Sequence, residues 1–335
     1  MKSNKIFIIA EAGVNHDGSI RKAFKLVDIA KKAGADAVKF QSFIASEEIS
    51  TSAPKAKYQM NTTNPKESQL DMIRKLELSF NEQKKLKLYC DKLKIEFISS
   101  PFDIKSIHTL KKIGLKTVKI PSPEINNLPY LIEISKKFSK IILSTGMSNI
   151  KEVNKAIKIL KKNKKKEISI LHCISSYPTK LEHLNLNAIR TLKNNFNNKI
   201  GFSDHSIGTE GSLLAIASGA KIIEKHFTIN RNLNGPDHKI SLSPNQLNKL
   251  VKKIRYTEKI MGNGIKKPQI CELENIKVVR KSIVANKIIK AGEKFTKKNI
   301  TTKRPGTGIS PMKWKNLLGK KSRYDYQKDE IIKKI

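Results

Sequence analysis

The sequence predicts an α/β protein in which a (β/α)8 TIM barrel is followed by a small β-rich domain. Eight short β-rich runs recur within about 260 residues, which is the usual size of such a barrel. Segments with helical periodicity separate the runs, and this alternation implies parallel strands joined by right-handed crossovers. No G-x-G-x-x-G motif follows the first run, so the alternative, a doubly wound open sheet, is less favoured.

The eight runs are the predicted barrel strands, because each is short and rich in β-branched or aromatic residues. They comprise residues 6–11, 36–41, 95–100, 117–122, 140–145, 168–173, 199–204 and 221–227. Between the first two runs, Ala23, Leu26, Val27 and Ala30 lie on one helical face, and Gly34 follows them. This spacing predicts an amphipathic helix that ends at the glycine.

Residues 42–80 interrupt this rhythm with a long connection that is rich in Ser, Thr and Asn. The connection follows the second strand, so it belongs to the face where barrels hold their active sites. Long loops at this face often close over a substrate. We therefore predict a substrate lid, with a plain surface insertion as the alternative.

The C-terminal part of the chain predicts a second domain. Residues 1–262 contain the whole barrel, and residues 263–278 are interpreted as a linker because they are rich in Gly, Pro and polar residues. Residues 279–335 alternate short apolar pairs with Gly and Pro, which predicts a compact β-rich domain with little helix. A module so small buries little core by itself, so we expect it to dock on a partner subunit.

The net charge of +38 raises the question of a nucleic-acid or membrane partner. Only eight of the 67 basic residues are arginines, the residue type that most often makes bidentate contacts with phosphates and base edges. The lysines extend along the whole chain, and aromatic residues are not interleaved with them for stacking. The composition therefore favours a lysine-rich surface, and we expect no nucleic-acid or membrane partner.

A cytoplasmic location is predicted from the apolar runs and the cysteines. No apolar stretch approaches the roughly 20 residues of a membrane span. The first run ends at Glu11 without a cleavage site, so it is interpreted as a strand and not as a signal peptide. Cys90, Cys173 and Cys271 are an odd and scattered set, which fits reduced thiols better than a disulfide framework.

Polar side chains end nearly every predicted strand. They are Glu11, Lys39, Gln41, Ser99, Ser100, Lys119, Ser122, Ser144, Thr145, His172, Ser203, Asp204, His205, Glu224 and His226. The C-terminal ends of barrel strands meet at one mouth, where the chemistry of such folds takes place. A ring of polar groups is costly to bury without a function, so this ring predicts the active site.

Two imidazoles in this ring predict a metal site. His205 and His226 end the seventh and eighth strands, which are neighbours, so both should project into the same mouth. Two imidazoles leave open coordination positions, as a catalytic metal requires. Mixed nitrogen and oxygen coordination suits Mn²⁺, although Mg²⁺, Co²⁺ or Zn²⁺ are alternatives. Each histidine alone could instead be a hydrogen-bonded strand-end residue.

Cations and hydroxyls in the same ring predict an anionic substrate. Lys39 and Lys119 supply point charges, and Ser100, Ser122 and Ser203 supply oriented donors. This combination suits a substrate that carries both a phosphate and a carboxylate.

Motifs along virtually the whole chain together resemble a known family. In chain order they read IAEAGVNHDGS, AVKFQSF, FISSPFD, ILSTGMSN, IGFSDHS, IEKHFT…GPDH and TTKRPGTGISPMKW. They resemble the sialic acid synthase family, which comprises N-acetylneuraminate synthases and their legionaminate and pseudaminate relatives. The resemblance implies a metal-dependent transferase that condenses phosphoenolpyruvate with an open-chain N-acylated mannosamine. The reaction uses water and releases phosphate by C–O cleavage.

The resemblance also implies an architecture and a set of residue roles. Members of the family look like a (β/α)8 barrel followed by an antifreeze-like (SAF) domain, which is exchanged between the subunits of a homodimer. The implied metal ligands are His205 and His226, and the implied catalytic acidic groups are Glu11 and Glu224. The implied phosphoenolpyruvate contacts are Lys39, Ser100, Lys119, Ser122, Ser175 and Ser203. The implied sugar contacts are Gln41, Tyr177, Asp237 and Arg304. Arg304 would reach the N-acyl group across the dimer. The choice of Glu11 as the general base that activates water is our own hypothesis.

Two residues depart from the family pattern. Pro123 in KIPSPE stands where glycine is more common, and proline removes a backbone donor near the phosphate loop. Ser175 in HCISSYP stands where some members have asparagine or threonine, so its shorter hydroxyl would reach phosphate directly or through water. Neither change removes a metal ligand, and we expect activity to survive both.

The acceptor sugar stays open at this point. N-acetylmannosamine, which gives N-acetylneuraminate, is the leading expectation. The alternative is 2,4-diacetamido-2,4,6-trideoxymannose, which gives N,N'-diacetyllegionaminate, and the pattern APKAKYQ…ESQLDM resembles both subgroups. A hypothesis from another class is a basic nucleic-acid or surface-binding protein on an inactive barrel, which would leave the two histidines without a role.

Overall fold

The computed structural model describes residues 5–60, 63–64, 66–163 and 166–332. The chain divides into two compact units, the first ending at Asn263 and the second beginning at Gly264. Within the described residues, no helix combines the length and the apolar character that crossing a membrane requires.

The first unit is a closed barrel of eight parallel strands in sequential order, so the predicted barrel is confirmed. The strands are β1 (Phe7–Gly13), β2 (Ala37–Ser42), β3 (Glu96–Pro101), β4 (Thr117–Ile120), β5 (Lys140–Ser144), β6 (Glu167–Cys173), β7 (Lys199–Asp204) and β8 (Ile222–His226). Each coincides within a few residues with one of the β-rich runs. Pairing of β1 with β8, which places Glu11 opposite His226, closes the barrel.

Helices alternate with the strands of the barrel. They are α1 (Ile20–Ala33), α2 (Ala45–Glu48), α3 (Lys57–Met60), α4 (Gln69–Arg74), α5 (Phe80–Leu93), α6 (Ile104–Lys112), α7 (Leu128–Lys137), α8 (Ile150–Leu160), α9 (Asn187–Asn195), α10 (Glu210–Ala217) and α11 (Pro244–Met261). The predicted first helix is confirmed as α1. The Ser19 side chain accepts a hydrogen bond from the Lys22 N–H at its start, and Gly34 ends it in the left-handed conformation with φ of 83°.

Two apolar layers hold the barrel together. Between strands and helices, residues such as Leu26 and Val27 are fully buried against the sheet. Inside the barrel a separate layer is formed by Ile9, Ala37, Ile98, Ile142, Leu171 and Ile222. Gly201 gives this layer room, because a Cβ there would lie 2.5 Å from Leu171 Cδ2. The apolar layer closes the interior beneath the strand ends, so polar chemistry is restricted to the C-terminal mouth.

The long connection after β2 is more ordered than the sequence indicated. The short helices α2, α3 and α4 lie within residues 42–80, where the composition predicted an extended connection. Ser68, for example, caps α4 by accepting a hydrogen bond from the Asp71 N–H. Helices this short have too few residues to show a clear apolar period, so the pattern did not reveal them. Residues 61, 62 and 65 of the connection lie outside the described residues.

The second unit is built around a small antiparallel sheet, as expected for a β-rich domain. Strands β9 (Ser282–Ala285) and β10 (Ile300–Lys303) pair, and a short helix, α13 (Trp314–Leu317), follows them. Its core is formed by Ile283, Ala285, Ile289, Phe295, Ile300, Leu317, Tyr326 and Ile332. Helix α12 (Leu273–Val279) precedes the sheet and overlaps the C-terminal part of the predicted linker. None of the residues of this helix is buried, so it lacks the buried face by which a helix is recognised. The domain boundaries at 262 and 279 stay a prediction.

Candidate active site

A cavity of about 240 Å³ opens at the C-terminal mouth of the barrel, and all eight strands contribute to its lining. The strand-end residues that line it are Glu11, Lys39, Gln41, Ser100, Lys119, Ser144, Cys173, Ser203, Glu224 and His226. Residues just beyond the strands also line it, among them Ser122, Pro123, Ser175, Tyr177, His205 and Asp237. The fold therefore brings together every site residue named from the barrel sequence. Arg304 is exposed and lies in the second unit, so its assigned contact stays a prediction.

Lys39 connects two acidic residues at the floor of the cavity. Its Nζ donates to Glu11 Oε1 at 2.8 Å and to Ser100 Oγ at 3.0 Å, and lies 3.8 Å from Glu224 Oε1. Burial alone would lower the pKa of Lys39, but the charges of Glu11 and Glu224 outweigh burial and raise it. Lys39 is therefore held as a cation under the cavity.

Lys119 forms the second half of the same network. Its Nζ donates to both oxygens of Glu224 at 3.0 Å, and the Ser203 hydroxyl donates to Glu224 Oε1 at 2.9 Å. Burial lowers the pKa of Lys119, and Glu224 only partly offsets this effect. The two lysines and two carboxylates are all almost completely buried, and such charges are tolerated only when they are paired.

The two carboxylates of the network have pKa values that move in opposite directions. Burial, together with the charge of Glu224, raises the pKa of Glu11 to about 7 even though Lys39 opposes this shift. Burial would also raise the pKa of Glu224, but the charges of Lys119 and Lys39, with hydrogen bonds from Lys119 and Ser203, lower it to about 2. Glu11 can therefore gain or lose a proton near neutral pH, whereas Glu224 stays ionised. Glu11 Oε2 is buried without a hydrogen-bond partner among the described residues.

The two predicted metal ligands face each other above this network. The ring centroids of His205 and His226 are 5.6 Å apart. His205 Nδ1 lies 2.7 Å from the Ile174 carbonyl oxygen, so we assign the proton to Nδ1, which leaves Nε2 free to bind a metal. His226 Nδ1 is buried without a hydrogen-bond partner in the described structure, and Asp237 Oδ2 lies 3.9 Å from it.

The residues present fit a divalent ion held by two imidazoles. Each metal–nitrogen bond would be about 2 Å long, which is compatible with rings at this separation. Burial and the neighbouring His205 hold the pKa of His226 well below its usual value, so His226 is a neutral imidazole suited to coordination. In the part of the chain that the structure describes, no group of three or more His, Cys, Asp or Glu side chains is arranged to hold an ion. The pair therefore leaves positions for substrate or water.

A cluster of hydroxyls lies on the side of the cavity near β4 and β5. Ser122 Oγ accepts a hydrogen bond from the Gly146 N–H at 3.0 Å. A Cβ on Gly146 would lie 2.3 Å from Ser175 Oγ and 2.8 Å from Ser122 Oγ, so the glycine lets both hydroxyls approach the same point. Pro123 lies in the first turn of the 3₁₀ helix Ser122–Asn126, a position compatible with proline. The two departures from the family pattern therefore leave this hydroxyl cluster intact.

Gln41, Tyr177 and Asp237 line the cavity on the side proposed for the sugar. The Tyr177 ring lies 4.2 Å from the His205 ring and 6.2 Å from the His226 ring, between centroids. Burial raises the pKa of Asp237 to about 6, and nearby histidines oppose this shift. A carboxyl group with this pKa can accept or donate a hydrogen bond to a sugar hydroxyl near neutral pH.

Some of the strand-end polar residues do not line the cavity, so the expectation of a complete ring is wrong for them. They are Ser99, Thr145, His172 and Asp204. His172 Nε2 instead lies 2.8 Å from the Leu184 carbonyl oxygen, and Asp204 forms an ion pair with Lys225. Successive strand residues point to opposite faces, so a neighbour of an inward residue points to the helices.

The sequence interpretation missed two ionisable residues of the cavity, Cys173 and Glu48. Cys173 follows the outward His172, and its Sγ lies 3.8 Å from His205 Nδ1. Alternation along β6 could have identified Cys173, because Leu171 two positions earlier faces the barrel interior. Glu48 lines the cavity from α2, and burial together with the nearby acidic groups raises its pKa to about 8. Glu48 lies in the connection predicted as a lid, where no strand pattern indicates which side chains face the cavity.

Comparisons with known proteins confirm the family resemblance seen in the sequence. The chain matches the NeuB family model over residues 26–266 and the SAF domain model over residues 280–334. It is 51% identical to N,N'-diacetyllegionaminic acid synthase of Campylobacter jejuni, over 98% of this chain and 99% of that protein. It is 42% identical to the protein of the same name from Legionella pneumophila, over 93% of this chain and 89% of that protein. A crystal structure of N-acetylneuraminic acid synthetase from Leptospira borgpetersenii matches with a TM-score of 0.72 and 38% identity, covering 82% of this chain and 91% of the other.

Proposed function

The chain belongs to the NeuB family of synthases, and from that premise we propose that it makes N,N'-diacetyllegionaminate. The substrates would be phosphoenolpyruvate, water and 2,4-diacetamido-2,4,6-trideoxymannose, and phosphate would be released. The sequence alone left this acceptor as the alternative to N-acetylmannosamine. The names of the two relatives from Campylobacter jejuni and Legionella pneumophila favour it.

The observation that carries the proposal is the buried network of Glu11, Lys39, Glu224 and Lys119 below the imidazole pair. In this network Lys39 and Lys119 are cations that an anionic substrate can use without further ordering of long side chains. Phosphoenolpyruvate carries a phosphate and a carboxylate, so it needs two cationic positions close together. Such preorganised charges stabilise the substrate and the negative charge that develops on departing phosphate.

Hydroxyl groups would complete the phosphoenolpyruvate site. Ser122 and Ser175 converge beside Gly146, while Ser100 and Ser203 hydrogen-bond Lys39 and Glu224. Charge-assisted hydrogen bonds from hydroxyls to phosphate or carboxylate oxygens are stronger than neutral ones. The cluster would therefore orient C3 of phosphoenolpyruvate toward the mouth, where the aldehyde enters.

His205 and His226 would hold the divalent ion, with Mn²⁺ as the first candidate. Bound there, the ion would supply Lewis acidity to the aldehyde oxygen of the acceptor. The His205 ring is oriented by the Ile174 carbonyl and packs against Tyr177, so this ligand would need no rearrangement to bind an ion. Asp237 lies beside His226 and would hydrogen-bond the sugar chain.

Glu11 would serve as the general base of the reaction. C3 of phosphoenolpyruvate would form a bond to the aldehyde carbon, which leaves an alkoxide on that carbon and an oxocarbenium-like C2. Water would then add to C2, and one of its protons would pass through Glu11 to the alkoxide. The second proton would leave with phosphate as the C2–O bond to phosphate breaks and the ketone forms. A pKa of about 7 lets Glu11 accept this proton near neutral pH and release it afterwards.

The SAF domain would complete the sugar site from another chain. We propose a homodimer in which the second domain of one subunit places Arg304 against the N-acyl group bound by the other. A guanidinium suits this role because its planar donors can hydrogen-bond an amide oxygen. The cytoplasmic location expected from the sequence stays a prediction.

The experiment measures phosphate release by the purified protein with Mn²⁺, phosphoenolpyruvate and each acceptor in turn. We expect turnover with 2,4-diacetamido-2,4,6-trideoxymannose, and a product mass equal to that of N,N'-diacetyllegionaminate. Turnover that is faster with N-acetylmannosamine would reassign the acceptor. No phosphate release with either sugar, with Mn²⁺, Mg²⁺ or Co²⁺, would refute the proposed reaction.

A further inference from the structure

Asp204 and Lys225 form a buried ion pair on the outer face of the barrel, directly behind the two imidazoles. Asp204 Oδ2 and Lys225 Nζ are 3.1 Å apart, and both side chains are at most 2% exposed. The two residues are opposite each other across β7 and β8. His205 follows Asp204 just beyond β7, and His226 follows Lys225 at the end of β8. Neither charge lines the cavity, so the proposed chemistry does not use the pair.

The same pair fixes the turn that carries His205. Asp204 Oδ1 accepts hydrogen bonds from the Ser206 N–H at 2.9 Å and from the Ser206 hydroxyl at 2.6 Å. Its Oδ2 accepts a third from the Ser212 hydroxyl of α10 at 2.6 Å. Lys225 Nζ also donates to the Ser206 carbonyl oxygen. The residue after His205 is therefore held through its N–H, its hydroxyl and its carbonyl.

The turn in addition supports the loop that follows β6. The Thr179 N–H donates to the His205 carbonyl oxygen at 3.0 Å, and Thr179 forms a bridge with Ser206. This loop supplies the Ile174 carbonyl that binds His205 Nδ1, and it also carries Tyr177, which packs on the His205 ring. The outer pair thus influences both the backbone of His205 and the partner that orients its ring.

We propose that Asp204 and Lys225 are positioning residues that set the distance and orientation of the two imidazoles. The proposal rests on the proposed function, in which those imidazoles bind the ion. A buried ion pair adds little net stability relative to apolar residues of similar size, because desolvation offsets the attraction. The hydrogen bonds of this pair, by contrast, connect β7, β8, α10 and the loop after β6 next to His205 and His226. Groups that orient metal ligands in this way tune the affinity for the metal.

The test compares Asp204→Asn with a matched variant, Asp36→Asn. Asp36 also forms an ion pair with a barrel helix, Arg255 Nη2 at 2.6 Å, and accepts from the Ile8 N–H, but at the opposite end of the barrel. Both variants should lower the melting temperature. Only Asp204→Asn should weaken Mn²⁺ binding to the folded protein, by about 10-fold as measured by calorimetry.

A second variant keeps the proposal testable where Asp204→Asn fails to fold. The double change Asp204→Leu/Lys225→Met removes both charges, so no unpaired charge is buried, and a folded protein is expected. It still releases Ser206, so Mn²⁺ binding should again weaken by about 10-fold. Binding that stays equal to that of the parent protein in every folded Asp204 variant would overturn the proposal.

A measurement without metal separates this proposal from the proposed function. In ¹⁵N-histidine spectra of the metal-free protein, His205 should show a single tautomer protonated at Nδ1, because it donates to the Ile174 carbonyl. Asp204→Asn should give mixed tautomers, whereas Asp36→Asn should not. If the parent protein binds no ion, the metal role of the two histidines is refuted. The tautomer of His205 in the variants then decides whether Asp204 positions that ring. An unchanged tautomer in Asp204→Asn would then overturn it.

Discussion

Replacing Glu11 by Gln tests the proposed base with little change in shape. Glu11 Oε1 holds Lys39 at 2.8 Å, and an amide oxygen can keep that hydrogen bond. Lys39 also keeps Ser100 and the charge of Glu224, so phosphoenolpyruvate should bind with an affinity close to that of the parent protein. The lost function is proton acceptance. General base catalysis contributes about 10²- to 10⁴-fold, or about 3–5 kcal/mol of activation free energy.

The assay follows phosphate release at saturating acceptor, with phosphoenolpyruvate binding measured separately by calorimetry. Glu96→Gln is the matched control, because Glu96 lies at the N-terminal end of β3 and accepts from the Thr117 hydroxyl, far from the mouth. We expect kcat to fall by at least about 100-fold in Glu11→Gln and to stay unchanged in Glu96→Gln. Activity of Glu11→Gln within about 10-fold of the parent protein would refute the assignment of the base.

The pH dependence gives the same residue an independent test. A base must be deprotonated, and burial raises the pKa of Glu11 to about 7. The value of kcat/KM should therefore fall by about tenfold per pH unit as the pH drops below about 7. This acidic limb should disappear from the residual activity of Glu11→Gln. A parent profile that stays flat down to pH 5 would show that no group of this pKa must be ionised.

Three further predictions concern the metal, the second domain and the barrel core. A chelator should abolish turnover of the parent protein, and added Mn²⁺ should restore it. In His226→Ala, Mn²⁺ should restore no turnover, and calorimetry should detect no Mn²⁺ binding. Full activity of the parent protein in excess chelator would contradict the metal site. Arg304→Ala should raise the KM for the acceptor far more than the KM for phosphoenolpyruvate in initial-rate measurements; equal rises would argue against a sugar contact. Gly201→Ala should lower the free energy of unfolding by about 1–3 kcal/mol in denaturant titrations, because the added Cβ would lie 2.5 Å from Leu171 Cδ2 and 2.6 Å from Ile222. An unchanged midpoint would mean that the side chains inside the barrel shift to accommodate the added methyl group.

Sequence reasoning succeeded where local pattern and chemistry agree. The β-branched and aromatic content of the runs and the helical spacing around Leu26 are local properties, so the barrel could be predicted. The paired positions of His205 and His226 followed from the order of the strands. Prediction failed where the direction of a side chain mattered, as with His172 and Asp204, which point to the helices. It also failed in the connection after β2, because Glu48 reaches the cavity from a helix only four residues long.

The sequence by itself determined the barrel, the small second domain and the kind of chemistry at the strand ends. The alternation of strand-like and helix-like segments and the types of residue at the strand ends are local properties of the chain. Only the tertiary structure decided which charges meet. Lys119 and Glu224 are 105 residues apart, and their hydrogen bonds form because closing the barrel brings β4 and β8 to the same mouth. The split between the pKa values of Glu11 and Glu224 is equally a property of the assembled site. Two carboxylates of one residue type differ because one receives a single lysine hydrogen bond and the other receives two together with a serine.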